Sequence, residues 1–431
     1  MTHHLILGAG PAGVIAAETI RQNNSDSTIT IVGDEHEPPY SRMAIPYLLI
    51  GNVNESGTYL RQEEGHWDKF RINLIRARAS SIDTKKREAH LDNGQVISFD
   101  TLLVATGSVP ITPPISGIDL PGVHTCWTLA DARKIMALAQ PGTQVLQLGA
   151  GFIGCIIMEA LAARGVKLSV VEMGDRMVPR MMGSTAGTMI REWCETKGVE
   201  VFTGTKVESI SSGQPLTVHL SNGQNVKANL VISAAGVKPA IGFLEKSGID
   251  CEIGVLSDFY MQSNVPGVFA AGDCAQAIDK VTGKRVVSAI QPTAAEQARV
   301  AALNMIAYVK GVDMHAVLNC VPQINVLDTL GLISSSFGLW EGVAGGESVE
   351  LTDTAAGKHL SLQFKDDVLI GCNSVGWTSH VGVMRGLVEG RVKLGSWKDV
   401  LLKDPTQLMP AYLASAQGQG QWTGAQDERR R

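Results

Sequence analysis

The chain contains 431 residues, a length that suffices for about three domains. Hydrophobic residues make up 44% and charged residues 18% of the chain, which excludes a disordered or fibrous protein. The formal net charge of −5 leaves no large basic surface, and we therefore expect no binding to nucleic acid.

The seven cysteines are widely spaced, and none belongs to a CxxC pair or to the short cysteine run of an iron–sulfur site. We therefore expect neither a disulfide framework nor a metal site. The N-terminus lacks the basic segment of a signal peptide. The most apolar stretch, 145–163, contains a glycine motif, so no membrane span is expected. These features indicate a soluble cytoplasmic protein.

A strand, a glycine-rich turn and a helix follow one another at the N-terminus. An apolar strand at 5–7 leads into GAGPAG at 8–13, a helix is predicted over 14–22, and a second strand at 28–32 ends just before Asp34. This order is typical of a dinucleotide site, and Asp34 is placed to accept a hydrogen bond from a ribose hydroxyl. The other predicted binding residues of this module are Gly8, Gly10, Pro11, Ala12, Gly13 and Glu35.

The same order recurs in the middle of the chain. A strand at 145–148 precedes GAGFIG at 149–154, a helix is predicted over 155–164, and a strand at 167–171 ends at Glu172. Two such modules predict two dinucleotides, and Glu172 favours NAD(H) because its charge would repel the 2′-phosphate of NADP(H). The alternative for Glu172 is a solvated carboxylate at a strand end. The predicted binding residues are Gly149, Gly151, Phe152, Ile153, Gly154 and Glu172.

Later segments complete the two modules and add a third domain. Each module has a second apolar strand that ends in small residues, LLVATG at 102–107 and VISAAG at 231–236, and the proline-rich stretch between 108 and 125 indicates a crossover between them. Near the C-terminus, two predicted strands followed by a helix indicate an α+β domain. The tail at 416–431 is polar, and we expect it to be disordered alone or docked on a partner.

The segment at 265–275, VPGVFAAGDCA, resembles the second flavin motif of the FAD-dependent pyridine nucleotide-disulfide oxidoreductases. In that motif an apolar strand delivers an aspartate, here Asp273, to the ribitol hydroxyls of FAD. The resemblance covers residues 1 to about 320, and the last third of the chain fits the interface domain of that family. The branch that the chain resembles contains ferredoxin and rubredoxin reductases, apoptosis-inducing factor, NADH oxidases and large nitrite reductases.

The resemblance implies an α/β fold with two Rossmann-like dinucleotide-binding domains, for FAD and NAD(H), and a C-terminal α+β interface domain. The implied bounds are 1–112 and 240–320 for the FAD domain, 113–239 for the NAD(H) domain, 321–415 for the interface domain and 416–431 for the tail. Ordinary helix capping is the alternative role for Gln291, Pro292 and Thr293. The further cofactor-binding residues that the resemblance implies are Arg42, Thr106, Gly107, Gly236, Gly272, Asp273, Gln291, Pro292 and Thr293.

The chain departs from the resemblance at two places. Met43 stands where disulfide reductases of this branch have their redox cysteine, and no histidine precedes a proline, so disulfide reduction is not expected. The lysine–glutamate pair of ferredoxin reductases is replaced by Tyr47 and Ile156, which removes both buried charges together. Hydride transfer would then depend on stacking and positioning, with Tyr47 as the candidate catalytic residue. Glu159, one turn beyond Ile156, would replace the missing glutamate or remain a surface carboxylate.

The sequence contains no cluster, thiol pair or haem motif that could take electrons onward from FAD. We therefore expect an enzyme that moves electrons between NAD(H) and an external iron–sulfur partner. It would be the flavin subunit of a larger oxidoreductase, of the tungsten- or molybdenum-dependent type, or a ferredoxin-type reductase. The alternatives are a stand-alone NADH oxidase or reductase of a small acceptor, and an NADH-sensing FAD scaffold. The C-terminal domain would form a homodimer or face another subunit.

Overall fold

The computed structural model describes residues 2–279, 283–318 and 324–418. These residues form two compact units. The first contains residues 2–111, 127–133, 237–279 and 283–318, and the second contains residues 112–126, 134–236 and 324–418. The domain bounds expected from the sequence stay predictions.

The segment up to residue 111 alternates apolar strands with helices. Strand β1 (His3–Leu7) has four consecutive buried residues, as expected for a strand covered on both faces of a parallel sheet. Helix α1 (Pro11–Asn23) begins with a proline, which is favoured there because its missing N–H would have no helical partner. The other elements are β2 (Thr28–Gly33), α2 (Ile45–Leu49), α3 (His66–Lys69), β3 (Ile72–Arg76), β4 (Ala79–Asp83), β5 (Glu88–Leu91), β6 (Val96–Ser98), β7 (Thr101–Val104) and β8 (Ser108–Pro110).

The segment from 112 to 236 repeats this alternation of strand and helix. Its apolar stretch at 145–163 is divided by the glycine motif into a strand and a helix. The elements of the segment are β9 (Val123–Thr125), α4 (Leu129–Leu138), β10 (Gln144–Leu148), α5 (Phe152–Ala163), β11 (Lys167–Val171), α6 (Ser184–Thr196), β12 (Glu200–Phe202), β13 (Val207–Ser211), β14 (Leu216–Leu220), β15 (Asn225–Ala228) and β16 (Leu230–Ser233).

The rest of the described chain returns to the first unit and then forms the C-terminal part of the second. The elements that return to the first unit are β17 (Val237–Pro239), β18 (Val255–Leu256), β19 (Val268–Ala270), β20 (Ala275–Ile278), β21 (Arg285–Val287) and α7 (Gln291–Lys310). The C-terminal elements are β22 (Ile324–Thr329), β23 (Leu332–Gly338), β24 (Glu347–Asp353), β25 (Lys358–Lys365), β26 (Val368–Val375), α8 (Val381–Glu389), α9 (Trp397–Lys403) and α10 (Leu408–Gly418).

The first unit is built on a parallel sheet with strand order β19-β7-β1-β2-β3. Counted along the chain, this is the order of a Rossmann-like sheet, in which the first strand is central and the chain crosses over beside it. Helices α1 and α7 pack against each other, and the sheet and helices share one apolar core. A small antiparallel sheet of β4, β5 and β6 interrupts the chain between β3 and β7.

The second unit repeats this architecture in its central sheet, whose parallel order is β12-β11-β10-β16-β9. Here too a three-stranded antiparallel sheet, β13 to β15, interrupts the chain, between β12 and β16. The two sheets therefore have corresponding strands, and β1 and β10 occupy the same central place. The sequence did not predict the two small antiparallel sheets.

The C-terminal residues form an antiparallel sheet with the order β22-β23-β26-β25-β24. One face carries Phe337, Leu362 and Cys372, which are buried with the apolar residues of α8, α9 and α10. On the other face, Asn373 accepts a hydrogen bond from the Gly183 N–H at 2.8 Å and donates one to the Met181 carbonyl at 3.0 Å. The predicted fold class, two Rossmann-like domains with a C-terminal α+β domain, is confirmed.

Two expectations from the sequence concern the polar C-terminal tail and the lack of a membrane-spanning helix. Helix α10 includes residues 416–418, and the remainder of the predicted polar tail lies outside the described residues. Within the described ranges, no helix has both the length and the apolar character that crossing a membrane requires.

The buried imidazole of His4 makes the stability of the first unit depend on pH. His4 is fully buried in β1, and its Nδ1 pairs with Thr101 Oγ1 at 2.6 Å. Burial lowers the pKa of His4 from 6.5 to about 4, because the charged imidazolium would lose its hydration. The unfolded chain therefore binds the proton more tightly, and stability decreases as the pH falls from about 6.5 towards 4.

We expect His4 to lower the free energy of unfolding by about 2 kcal/mol between pH 7 and pH 5. Denaturant unfolding at the two pH values measures this difference. The variant His4→Asn keeps a polar atom near Thr101 but does not titrate, so it should lose about 2 kcal/mol less over the same interval. Equal losses in the two proteins would show that His4 is not the titrating group.

Candidate functional site

The first glycine loop connects β1 to α1 and has no space for side chains at two of its three motif glycines. A Cβ atom on Gly8, whose φ is +119°, would lie 2.0 Å from the Ala105 carbonyl oxygen. A Cβ on Gly13 would lie 1.9 Å from the Gly8 carbonyl oxygen, whereas at Gly10 no atom lies within 4 Å. The loop is therefore packed tightly below and open at Gly10, where a pyrophosphate needs to approach the backbone.

Helix α1 begins directly at this opening. Gly10 is its N-cap, no side chain caps it, and its first turn, which includes Pro11 and Ala12, contains no acidic residue. The unpaired N–H groups and the positive end of the helix dipole favour an anion at such a terminus. The cradle thus fits the pyrophosphate of a dinucleotide.

The two carboxylates after β2 have different partners. Asp34 pairs with Arg78 at 2.6 Å on the exposed surface. Glu35 is partly buried and accepts hydrogen bonds from Arg42 at 2.6 Å and from the Tyr40 hydroxyl at 2.5 Å. Glu35 is therefore the better oriented of the two, although the sequence pointed first to Asp34 as the ribose ligand.

The guanidinium of Arg42 is held on several sides by the first unit. Its Cζ lies 5.3 Å from the ring centroid of Trp127 and 5.6 Å from that of Tyr40, within the range of cation–π attraction. It also donates a hydrogen bond to the Trp127 carbonyl at 2.7 Å. Burial raises the pKa of Tyr40, so its hydroxyl stays protonated as a donor to Glu35. Tyr40 and Trp127 were not predicted from the sequence, although Tyr40 lies two residues before the predicted Arg42.

Asp273 follows strand β19 and lies close to the turn after β7. Its carboxylate accepts a hydrogen bond from the Ser108 hydroxyl at 2.7 Å. Burial raises the pKa of Asp273, while Ser108 and the charge of Arg42 oppose this rise. Trp127 donates its indole N–H to the Ser108 carbonyl at 3.0 Å, which joins the Arg42 cluster to the Asp273 site. Ser108 was not predicted, although it directly follows the ATG turn.

Two glycines with positive φ angles lie in the turns next to this carboxylate. Gly107 has a φ of +67° and Gly272 a φ of +80°, a region that favours glycine. The Thr106 hydroxyl donates to the Ala240 carbonyl at 2.9 Å, and the Gly272 N–H donates to Gln297 Oε1 at 2.8 Å. The turn at Thr106 and Gly107 is thus fixed by hydrogen bonds from within the same unit, and so is the turn at Gly272, directly before the predicted ribitol ligand.

The predicted cofactor-binding residues at 291–293 form the first turn of α7. Gln291 accepts a hydrogen bond from the Ser41 hydroxyl at 2.6 Å, and the Thr293 hydroxyl pairs with Ser288 at 3.2 Å. Pro292 occupies the first turn, and no side chain caps the helix. Side-chain capping is therefore not what these residues do in the described structure, and their contact with FAD stays a prediction.

Two residues at which the chain departs from the family pattern are exposed, and Glu159 lies on the side of its helix that faces the C-terminal sheet. The side chains of Met43 and Tyr47 are 50% and 55% exposed, on the short helical segment that follows Arg42. In the second unit, burial and the nearby Asp328 of β22 raise the pKa of Glu159. Helix α5 contacts β22, so Glu159 lies on the side of α5 that meets the C-terminal sheet. Whether it replaces a glutamate at Ile156 stays a prediction, as does the role of Tyr47.

The second glycine loop has the same steric plan as the first. A Cβ on Gly149, whose φ is +97°, would lie 2.4 Å from the Ala234 carbonyl oxygen, and one on Gly154 would lie 2.5 Å from the Gly149 carbonyl oxygen. At Gly151 no atom lies within 4 Å. Gly151 is the N-cap of α5, whose first turn includes Phe152 and Ile153 and contains no acid. Gly236, at the end of the adjoining turn, has a φ of +100°.

Glu172 uses both carboxylate oxygens on backbone donors. It accepts hydrogen bonds from the N–H groups of Ala150 and Gly174, each at 2.7 Å. Arg176, the next basic residue along the chain, donates to the Met182 carbonyl at 2.8 Å and pairs with Asp175. Glu172 is therefore a positioned acid and not a loosely solvated one, and Arg176 is directed towards its own loop. Both features favour a nucleotide without a 2′-phosphate.

The chain is similar to one protein family and to individual proteins from other organisms. The family model described as pyridine nucleotide-disulphide oxidoreductase matches residues 2–298. The epsilon subunit of NADH-dependent phenylglyoxylate dehydrogenase from Aromatoleum evansii is 32% identical over 412 residues, which cover 94% of this chain and 95% of that protein. The NADH oxidase of Methanocaldococcus jannaschii is 29% identical over 395 residues and covers 86% and 87% of the two chains.

A solved structure is also similar to this chain over most of its length. The crystal structure of a ferredoxin reductase from Rhodopseudomonas palustris superposes with a TM-score of 0.80 at 25% identity. The superposition covers 89% of this chain and 94% of the reductase. The similarity therefore extends beyond the glycine motifs to the whole succession of domains.

We expect Asp273→Ala to weaken FAD binding by tenfold to a hundredfold, because hydrogen bonds to charged groups contribute roughly 1.5–3 kcal/mol. The measurements are the flavin content after purification and the Kd for FAD rebinding to the apoprotein. Asp273→Asn is the control: it keeps an oxygen acceptor and should lose less affinity. An Asp273→Ala protein that retains its full flavin complement would contradict the assignment of this carboxylate.

Replacing Glu172 should reduce discrimination against NADPH. The variant Glu172→Gln removes the negative charge that opposes a 2′-phosphate, and we expect the ratio of kcat/KM for NADH to that for NADPH to fall by about tenfold, equivalent to roughly 1.4 kcal/mol. Glu200→Gln, which neutralises an exposed acid on β12, serves as the control. If the unmodified protein already prefers NADPH, the interpretation of Glu172 is wrong.

Proposed function

The chain belongs to the pyridine nucleotide-disulphide oxidoreductase family, and we propose that this FAD-dependent NAD(H) oxidoreductase moves electrons between NAD(H) and an iron–sulfur partner outside the chain. The partner would be another subunit of a larger oxidoreductase or a small ferredoxin. Within this proposal the first glycine loop, Arg42 and Asp273 bind FAD, and the second glycine loop with Glu172 binds NAD(H).

The observation that carries the proposal is the state of the cysteines. Five of the described cysteines are buried, and burial raises the pKa of four of these thiols. Cys251 is exposed, yet its pKa is also raised. The family resemblance of the sequence predicts Met43 at the position of the redox cysteine of disulfide reductases. A thiolate is needed for disulfide or peroxide chemistry. The described residues supply no reactive thiol, so the electrons would have to leave for a separate acceptor.

When bound, FAD can take two electrons from a nicotinamide and release them singly to a one-electron carrier. The chain's own contribution is to hold that group in place. Arg42 presents a guanidinium whose orientation is set by two rings and by Glu35. Asp273 presents a carboxylate that Ser108 orients, so that hydroxyl donors can be bound there with little reorganisation.

The relatives support a role with a partner. The Aromatoleum protein is named as one subunit of an NADH-dependent dehydrogenase, and the Rhodopseudomonas protein is a ferredoxin reductase. The first of these matches almost the full length of both chains. We infer from this length that the C-terminal domain belongs to the same functional unit in both proteins. A tungsten- or molybdenum-containing partner, a homodimer and a cytoplasmic location stay predictions.

A stand-alone NADH oxidase is the second candidate, because the Methanocaldococcus relative carries that name and matches 86% of this chain. Such an enzyme would pass electrons directly to oxygen or to a small acceptor. An NADH-sensing FAD scaffold remains the third alternative, in which slow reduction would change the oligomeric state and catalysis would be incidental. The three functions differ in how fast the flavin is reduced and in what reoxidises it.

Anaerobic titration with NADH, followed by the absorbance of the oxidised flavin, distinguishes these functions. We expect prompt, stoichiometric bleaching, then slow reoxidation in air and rapid reoxidation by an added ferredoxin, because the carrier accepts single electrons. Fast reoxidation by oxygen alone would favour the oxidase. Absence of bleaching would favour the scaffold.

The variant Cys251→Ser is the matched control for this titration, since it removes the exposed thiol that the structure describes. We expect its reduction by NADH and its reoxidation by ferredoxin to be the same as in the unmodified protein. A large loss in either step would show that a thiol of the chain carries electrons, which contradicts the proposal.

A further inference from the structure

In the second glycine loop, the peptide group between Gly149 and Ala150 is hydrogen-bonded by two side chains, one at its carbonyl oxygen and one at its N–H. The carbonyl oxygen of Gly149 accepts a hydrogen bond from Gln147 Nε2 at 2.8 Å. The N–H of Ala150, which belongs to the same peptide, donates to Glu172 Oε2 at 2.7 Å. The two atoms of a trans peptide point in opposite directions, so Gln147 and Glu172 together define how this peptide plane is turned.

Gln147 is an unusual residue for this position because it is a fully buried amide in the centre of a parallel sheet. Its Nε2 also donates to the Gly154 carbonyl at 2.9 Å. Both partners are carbonyl acceptors, which means that the amide must present its NH₂ group to them and cannot be flipped. No described group lies within hydrogen-bonding distance of its Oε1. Such a buried unpaired acceptor costs stability, so packing alone does not account for a glutamine here.

The first glycine loop shows what the fold itself requires at this place. Ile6 precedes Gly8 by two residues, as Gln147 precedes Gly149. A Cβ built on Gly13 would lie 3.3 Å from Ile6 Cγ2, and one built on Gly154 would lie 3.1 Å from Gln147 Nε2. The two side chains thus fill equivalent space below their helices. An apolar residue is sufficient to build the loop, and the amide in the second loop has a further role.

The following peptide is fixed as well. The carbonyl of Ala150 accepts a hydrogen bond from the Val178 N–H at 2.9 Å. Val178 is buried and has a φ of +50°, a strained conformation for a β-branched residue that persists only where its surroundings enforce it. Because the Ala150 carbonyl is directed at Val178, the N–H of Gly151 in the same peptide is directed away from it.

We propose that Gln147 is a positioning residue for NAD(H), which sets the Gly149–Ala150 peptide so that the loop is ready for a pyrophosphate before the nucleotide arrives. A carbonyl oxygen that faces an anion site would repel the ligand. The N–H of this peptide is already bonded to Glu172, so the role of the amide is to keep the Gly149 carbonyl turned away from the ligand. Gly149 has wide conformational freedom, and without the amide its carbonyl loses the partner that keeps it turned towards the sheet. The inference rests on the proposed assignment of the second loop to NAD(H).

The variant Gln147→Met tests this inference, since methionine has a similar shape and lacks the NH₂ group. We expect the Kd for NAD⁺, measured by calorimetry on the oxidised FAD-loaded protein, to rise about tenfold. Flavin content and flavin absorbance should not change. The midpoint of thermal unfolding should change little, because two hydrogen bonds are lost while the unpaired Oε1 is removed. An unchanged Kd would overturn the inference, with or without a lower midpoint, because a merely structural glutamine affects stability and not affinity.

A second variant separates failure of the inference from failure of the site assignment. Gly151→Val places a side chain in the open part of the loop, where the fold leaves space and the φ of −74° is allowed. We expect it to abolish NAD⁺ binding while FAD stays bound. If Gly151→Val blocks binding and Gln147→Met does not weaken it, only the role of Gln147 is wrong. If Gly151→Val still binds NAD⁺ normally, the assignment of the loop is wrong and the inference fails with it.

Discussion

The absence of space for a Cβ atom at the first and third motif glycines is the constraint on which both nucleotide-binding halves depend. At Gly13 and Gly154 a side chain would overlap the carbonyl oxygen of the loop's own first glycine. The start of each helix can therefore lie directly above the end of its strand. This close approach aims the uncapped helix N-terminus at the carboxyl edge of the sheet, where the strand-end acids also lie. Every other feature of the two sites is arranged around that edge.

Around the first loop, the same edge brings several charges together, and each has a partner. Arg42 is bonded to Glu35, the Tyr40 hydroxyl and the Trp127 carbonyl, which uses much of the directional donor capacity of a guanidinium. Burial raises the pKa of Asp273, and the charge of Arg42 opposes this rise. Because these groups are ordered by one another, little side-chain entropy remains to be lost when a ligand binds. The first unit is thus organised for a tightly held cofactor.

Local motifs could be predicted from the sequence, and long-range contacts could not. The strands and helices around both glycine loops follow from short apolar runs and from glycines at fixed spacing, and β11 has the predicted bounds. Trp127 was missed because its partner Arg42 is 85 residues away. Asp34 and Glu35 were both predicted to bind the cofactor, and the role of Asp34 as the ribose ligand stays a prediction. Spacing alone does not reveal that Arg78 pairs with Asp34.

Gln147 could not be identified from the sequence for a related reason: it is a single polar residue in an apolar strand, and its contacts with Gly149 and Gly154 exist only in the folded loop. Its meaning appears when the two loops are compared. They share the crowding at the first and third glycines, and an amide in the second loop takes the place that Ile6 has in the first. Under the proposed assignment, the first loop holds FAD, a resident group whose own binding energy can keep that loop in place. The second loop would hold NAD(H), which leaves and returns in each catalytic cycle, so this loop would gain more from being ordered in advance. The role that we propose for Gln147 thus accounts for a buried amide in the second loop and for the apolar Ile6 in the first.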